Sequence, residues 1–311
     1  TAKANTANNA MSVTAANASG LDVIANGMFS GSKPLSEASD ANGAGGVKTN
    51  ADFALANAQA DSGSTIKGAL VGSSKITTGS VSDASTLSAN SNNLTTSGSV
   101  NTAGNALSLN IGNMNGMVAG LSSAQSTANS VASASTTGEV SLNTAVVTSS
   151  SLTLNSNKVS ASASANTVTN SLDLIATTAA GRDINLSTPD AGTTWFNEAS
   201  ASIASGKASV AADFALSNNQ KITATSLDFA ARTVSGINAV TGTLIDSSLG
   251  VNNNNTLASV SGNNASNSIN LAVSTLSKPN TGLSSLQTMG STASFMASVN
   301  DASDLVATGV A

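Results

Sequence analysis

The sequence contains no cysteine, no histidine and no tyrosine. Without cysteine there is no disulfide scaffold and no thiolate metal site, while the redox compartment stays open. Without histidine as well, Ser-His-Asp and Cys-His chemistry and the common zinc sites are excluded. Aromatic residues make up 2% of the chain and Trp195 is the single tryptophan, so no core of interlocking rings is available. Charged residues make up 9%, against about 25% in an average domain. The formal charge is −5 and no run of Lys or Arg occurs, which argues against a nucleic-acid groove. No apolar run approaches the roughly 18 residues that would span a membrane as a helix. The chain opens on TAKANTANN, with no Met and no visible signal peptide, and reads as a mature or excised form.

Ala, Ser, Thr, Asn and Gly fill most of the 311 positions. Disordered chains combine low hydrophobicity with high charge. Here hydrophobic residues reach 40% and charge is sparse, so an ordered chain with a thin core is expected. Thin cores favour repetition, because each unit buries its faces against the next.

Repeats are present. The frame Asn-x-x-x-Asn, Ala or Ser, apolar, any, apolar occurs as NTANNAMSV (Asn5–Val13), NTAGNALSL (Asn101–Leu109), NTVTNSLDL (Asn166–Leu174) and NNASNSINL (Asn263–Leu271). Its second asparagine falls at Asn9, Asn105, Asn170 and Asn267, with spacings of 96, 65 and 97. A second motif, Leu-x-x-x-Gln, ends at Gln59, Gln125, Gln220 and Gln287. From Asn to Leu the distances are 46, 16, 46 and 16. Alternate half-units therefore carry about 30 extra residues. ADFAL at Ala51 and SEAS at Ser36 return 161 residues later, the second as NEAS. A third element, SLTLNSNKV at Ser151, has relatives at Thr86 and Ser248. This organisation gives two units, 1–150 and 151–311, with inserts at about 20–50 and 181–211.

In VSASASA, Val159, Ala161, Ala163 and Ala165 share one face of a strand. Short strands bounded by Ser, Asn and Gly turns follow. The competing reading is an Ala-rich helix, for example over Gln125–Ser135. The expected fold class is all-β: β-solenoid-like tandem repeats with a period of about 161 residues, alternating long and short half-units, and inserted loops. A half-unit of 65 residues is read as about three coils of roughly 22. Met11, Leu107, Leu172 and Ile269 are expected to be buried at equivalent positions. Two readings are open for the recurring asparagines: stacked amide ladders or turn residues tolerant of positive φ. For Gln59, Gln125, Gln220 and Gln287 the ladder is favoured, because Gln is not a turn residue.

Candidate chemistry is sparse. Asp183, Asp190 and Glu198 sit in one insert, and Asp22, Glu37 and Asp40 in the other. A carboxylate pair could cleave sugars, but solvated loop charges are the plainer reading. GAGG at 43–46 lacks both the Asp pattern of a calcium repeat and the Lys-Ser/Thr ending of a phosphate loop. Trp195 and Phe196 either stack on a sugar or fill the small core of an insert. No catalytic, cofactor or metal site is expected, and the chain reads as a non-enzyme.

The Leu-x-x-x-Gln and Asn-x-x-x-Asn motifs on alternating Ala/Ser/Val strands resemble the repeats of curli-type fibre subunits and other bacterial surface proteins. This chain has longer units and 30-residue inserts. The resemblance implies an extracellular, β-rich structural fibre. The expected function is thus a structural subunit of a secreted filament, matrix fibre or surface layer, a homopolymer of this chain. The alternatives are an adhesin-type stalk whose inserts bind a glycan or cell-surface ligand, and a flagellin-like filament subunit. The first unit lacks a counterpart of Ser151–Ala161, and an unfinished unit exposes strand edges. Head-to-tail joining is expected, with Ala4, Met11, Trp195 and Phe196 as candidate assembly contacts.

Overall fold

A computed structural model describes residues 1–19, 23–25, 38–41, 47–50, 53–180, 184–186, 198–203, 206–211, 214–223, 227–277, 281–290, 292–301 and 303–310. These residues are all-β, and among them there is no helix. The chain first forms β1 (Ala2–Ser19), the insert strands β2 (Val23–Ala25), β3 (Ala38–Ala41) and β4 (Val47–Asn50), then β5 (Phe53–Ser62), β6 (Thr65–Val81) and β7 (Thr86–Ser88). A second tier follows: β8 (Asn93–Asn115), β9 (Ala119–Ala128), β10 (Val131–Thr148) and β11 (Ser151–Asn155). The third holds β12 (Lys158–Ala180), the insert strands β13 (Ile184–Leu186), β14 (Glu198–Ile203) and β15 (Gly206–Ala211), then β16 (Phe214–Thr223), β17 (Leu227–Ile245) and β18 (Ser248–Asn252). The fourth holds β19 (Asn255–Ser277), β20 (Thr281–Met289), β21 (Ala293–Asp301) and β22 (Leu305–Val310).

Equivalent strands of successive tiers pair in parallel. Sheet I is β1-β8-β12-β19, sheet II is β5-β9-β16-β20, sheet III is β6-β10-β17-β21 with β22 also on β17, and sheet IV is β7-β11-β18. The chain visits sheets I, II, III and IV in turn and returns to sheet I one strand further along. The motif spacing is the register: Asn5 pairs with Asn101, Asn101 with Asn166, and Asn166 with Asn263.

This corrects the expected coil length. Neighbours in sheet I stand 96, 65 and 97 residues apart. A half-unit is therefore one tier, not three coils of about 22. The cause is strand length: β8 and β12 each run 23 residues with no turn inside them. The Ala-rich stretch after Gln125 is strand as well, ending β9 and opening β10.

Sheet I packs on sheet II through Leu107, Leu109, Leu172 and Leu174 against Leu121, Phe214 and Leu216. Its N-terminal part packs on sheet III, where Val100 and Ala165 meet Ala132 and Phe229. The far end of sheet III covers sheet IV, with Leu142, Val147 and Leu244 against Leu152. Sheets I and IV thus face sheets II and III, a two-layer arrangement. Where Ala161 and Ala163 meet Ala134 and Ala231, the layers approach closely. A Cβ added at Gly98 would stand 2.9 Å from the Ser133 carbonyl oxygen. Corners repeat with the strands: Ala84, Ser149 and Asp246 have positive φ at one, and Ser91, Ser156 and Asn253 at the next.

The four expected core positions lie in register, Met11 with Leu107, Leu172 and Ile269. Leu107 and Leu172 are buried; Met11 and Ile269, in the first and last tiers, are half-buried against the same cluster. The described insert strands pair with each other within one chain, β2 with β13 and β4 with β14. Trp195 and Phe196 lie outside the described residues.

Candidate functional site

The interior between sheets I and II carries amides at fixed places in every tier. Along β1, β8, β12 and β19, Asn5 Nδ2 donates to Asn101 Oδ1, Asn101 Nδ2 to Asn166 Oδ1, and Asn166 Nδ2 to Asn263 Oδ1, each at 2.8 Å. Four residues on, Asn9 donates to Asn105 at 2.9 Å, Asn105 to Asn170 at 2.8 Å, and Asn170 to Asn267 at 2.7 Å. From sheet II, Gln125 Nε2 donates to Gln59 Oε1 at 2.7 Å; Gln220 donates to Gln125 and Gln287 to Gln220, both at 2.8 Å. Both Asn rows and the Gln row are ladders inside strands, so the turn reading of these asparagines does not hold. Among the described residues, the positive-φ corners use only Asn129 and Asn253 of the asparagines.

The ladders have a direction, and the network fixes it. An amide has two N–H donors and one carbonyl acceptor. The second donor of each Asn in the first row meets a backbone carbonyl of sheet II: Ala60 for Asn5, Ser126 for Asn101, Lys221 for Asn166 and Thr288 for Asn263. Each interior Gln uses its second donor on a sheet I carbonyl of the next tier: Thr102 for Gln59, Thr167 for Gln125 and Asn264 for Gln220. Rotating an amide of the first Asn row or of the Gln row by 180° would set oxygen against these carbonyls. The second Asn row runs parallel to the first, with its other donors on side-chain oxygens of Asn57, Ser123, Asn218 and Ser285. The Asn rows therefore donate from the first tier toward the fourth, and the Gln row donates the opposite way.

The corners hold further rows that the motifs marked as elements but not as ladders. Asn92 donates to Asn157 and Asn157 to Asn254, at 2.9 and 3.0 Å. Ser150 accepts from the Ser85 amide while donating to the Thr148 carbonyl, and Ser247 serves Ser150 in the same way. The visible signal was the SNN and SNK of the third repeated element, whose recurring Asn is one of these ladder residues.

The two ends of the stack differ. At the first tier, Asn5, Gln59, Ala4, Thr6, Ala58 and Ala60 line an open recess of about 400 Å³. Among the described residues no donor meets Asn5 Oδ1 or Asn9 Oδ1. At the fourth tier, Leu283 is 50% exposed, although Leu121 and Leu216 at the same motif position are 0% exposed. Gln287 is exposed where Gln125 and Gln220 are buried. Of the candidate assembly contacts, Ala4 packs half-buried beside Val100 and Ala165, and Met11 beside Leu107.

Catalytic geometry is sparse. Asp61, at the turn from β5 to β6, accepts from the Ser64 and Ser130 hydroxyls, which ties the turn together. Asp22, Glu37, Asp183, Asp190 and the GAGG at 43–46 lie outside the described residues; Asp40 and Glu198 are placed as strand backbone only. Among the described residues there is no group of three potential metal ligands, and no helix is long and apolar enough to cross a membrane. Comparison with protein-family models, curated proteins and solved structures finds no match.

Proposed function

We propose that this chain is a structural subunit: its tiers wind as a β-solenoid, and copies join head to tail through β-strand contacts into a secreted, extracellular filament, matrix fibre or surface layer. One observation carries the reading. Every tier presents a strand of sheets I, II and III, with its apolar rows and amides, in one parallel register. Such a stack is translational, so it ends on two unlike faces, and a contact between unlike faces propagates instead of closing. The chemistry is that of a material: hydroxyls and amides are spent on one another across tiers. The partner is a second copy of the chain, without nucleic acid, cofactor or membrane span.

The experiment is negative-stain electron microscopy of the purified chain across a concentration series. Unbranched filaments or ordered sheets are expected. Discrete particles at every concentration would overturn the reading. The stalk alternative draws on the antiparallel sheet β15-β14-β4-β3 built by the two inserts. It predicts discrete rods that bind glycan. A flagellin-like subunit would need long helices, and the described residues form none.

A further inference from the structure

The polarity of the amide ladders specifies the partner and the register of the junction; the argument rests on the filament reading just given. We infer that the fourth-tier face binds the first-tier face of a second, identically oriented copy by continuing both kinds of ladder across the junction.

The two faces are complementary atom by atom. Asn263 Nδ2 has one hydrogen on the Thr288 carbonyl at 2.9 Å, and its other finds only a 3.4 Å contact back to the Gln220 carbonyl. Asn267 Nδ2 reaches only Ser285 Oγ, also at 3.4 Å. These are donors awaiting an acceptor one tier further on. Asn5 Oδ1 and Asn9 Oδ1 of a following copy are acceptors awaiting a donor. In the Gln row the roles reverse. Gln59 Nε2 spends one hydrogen on the Thr102 carbonyl, and its other faces the open recess. Gln287 Oε1 is the acceptor left at the far end. Interior tiers also show where Gln287 would place its remaining hydrogen, on the carbonyl of Thr6, the residue in register with Thr102.

The junction therefore forms four side-chain hydrogen bonds: Asn263 to Asn5, Asn267 to Asn9, Gln59 to Gln287, and Gln287 to the Thr6 carbonyl. Apolar rows continue in the same register, with Met11 over Ile269 and Val13 over Leu271, as inside the chain. Two first-tier faces would set oxygen against oxygen in both Asn rows. Two fourth-tier faces would set donor against donor. A slip of one residue along the strand would turn every amide to the outer face. The ladders thus select one orientation and one register.

Two variants isolate the faces. Asn263→Asp with Asn267→Asp keeps the oxygens that accept from Asn166 and Asn170, but removes the donors offered to the next copy and, within the chain, the Asn263 donor to the Thr288 carbonyl. Gln59→Glu keeps the acceptor for Gln125 and sets an oxygen against Gln287 Oε1, and within the chain it also removes the donor to the Thr102 carbonyl. Sedimentation velocity is run on the wild-type chain, on each variant, and on their equimolar mixture, with far-UV circular dichroism to establish folding. Wild type is expected to grow into long oligomers. Each variant alone is expected to stay monomeric, its dissociation constant raised at least about thirtyfold by an unpaired charge at the junction. The mixture is expected to stop at a dimer, because one intact face of each kind remains. Variants that assemble like wild type would overturn the ladder inference and leave the filament reading standing. A folded pair that does not dimerise would overturn the polarity. A wild-type chain that stays monomeric would overturn both. Should a carboxylate variant not fold, Leu283→Arg at the fourth tier and Ala4→Arg at the first replace it, each placing a guanidinium in the end face, with the same outcomes.

Discussion

Asn170 shows how much one side chain carries. It is 0% exposed, accepts from Asn105, and donates to Asn267 and, at 3.5 Å, to Asn218. Asn170→Asp would set a buried anion against two carbonyl oxygens. A loss of about 3–5 kcal/mol is expected, read as a lower midpoint in urea; an unchanged midpoint would show that the interior tolerates the charge. The opposite sign is expected at Thr241. It is 1% exposed and its Oγ1 has no hydrogen-bond partner. Thr241→Val keeps the shape and removes an unsatisfied hydroxyl, so stability should rise by about 1 kcal/mol. A fall in the thermal midpoint would mean that the hydroxyl is satisfied in solution. At this scale the sequence was readable where a polar residue recurred without a turn to explain it, as Gln125 and Gln220 do. Rows such as Asn92, Asn157 and Asn254 were not, because Asn in a Ser/Asn-rich corner looks the same whether it bends the chain or bridges tiers.

Among the elements, spacing translates directly into register, since every strand of sheets I to IV meets its own repeat. What spacing does not reveal is how many strands make one circuit. VSASASANTVTNSLDLIA looks like several short strands because its polar residues resemble turn signals, yet it lies inside one strand of 23 residues. Asn166 and Asn170 face inward and are satisfied by the ladders, while Ser162 and Thr169 lie on the exposed face of the same strand, so no turn is needed to bring either kind to a partner or to water. Ala and Gly on β8 and β12 have a second role, letting sheet III approach. Gly98→Val would drive a branched side chain toward the Ser133 carbonyl, where even a Cβ would stand at 2.9 Å. A loss of about 1–3 kcal/mol is expected from overpacking, again measured by urea unfolding. Gly79→Val serves as the control, since a Cβ there meets nothing within 4 Å; equal losses at both would show that strand propensity, not close approach, sets the cost.

For the whole molecule, the tiers alternate between carrying an insert and lacking one, and the two inserts reach each other past the tier between them through β4 and β14. In the proposed filament a following copy would begin again with an insert-bearing tier, so the alternation would pass through the junction unbroken. Parallel strands stack about 4.8 Å apart, so in such a filament each copy of these four tiers would add about 19 Å. Helical reconstruction by electron cryomicroscopy measures that rise directly. The account predicts a polar filament with an axial rise of about 19 Å and strands running across the axis. A filament with two-fold axes perpendicular to its length, or with strands running along it, would contradict head-to-tail stacking of the tiers.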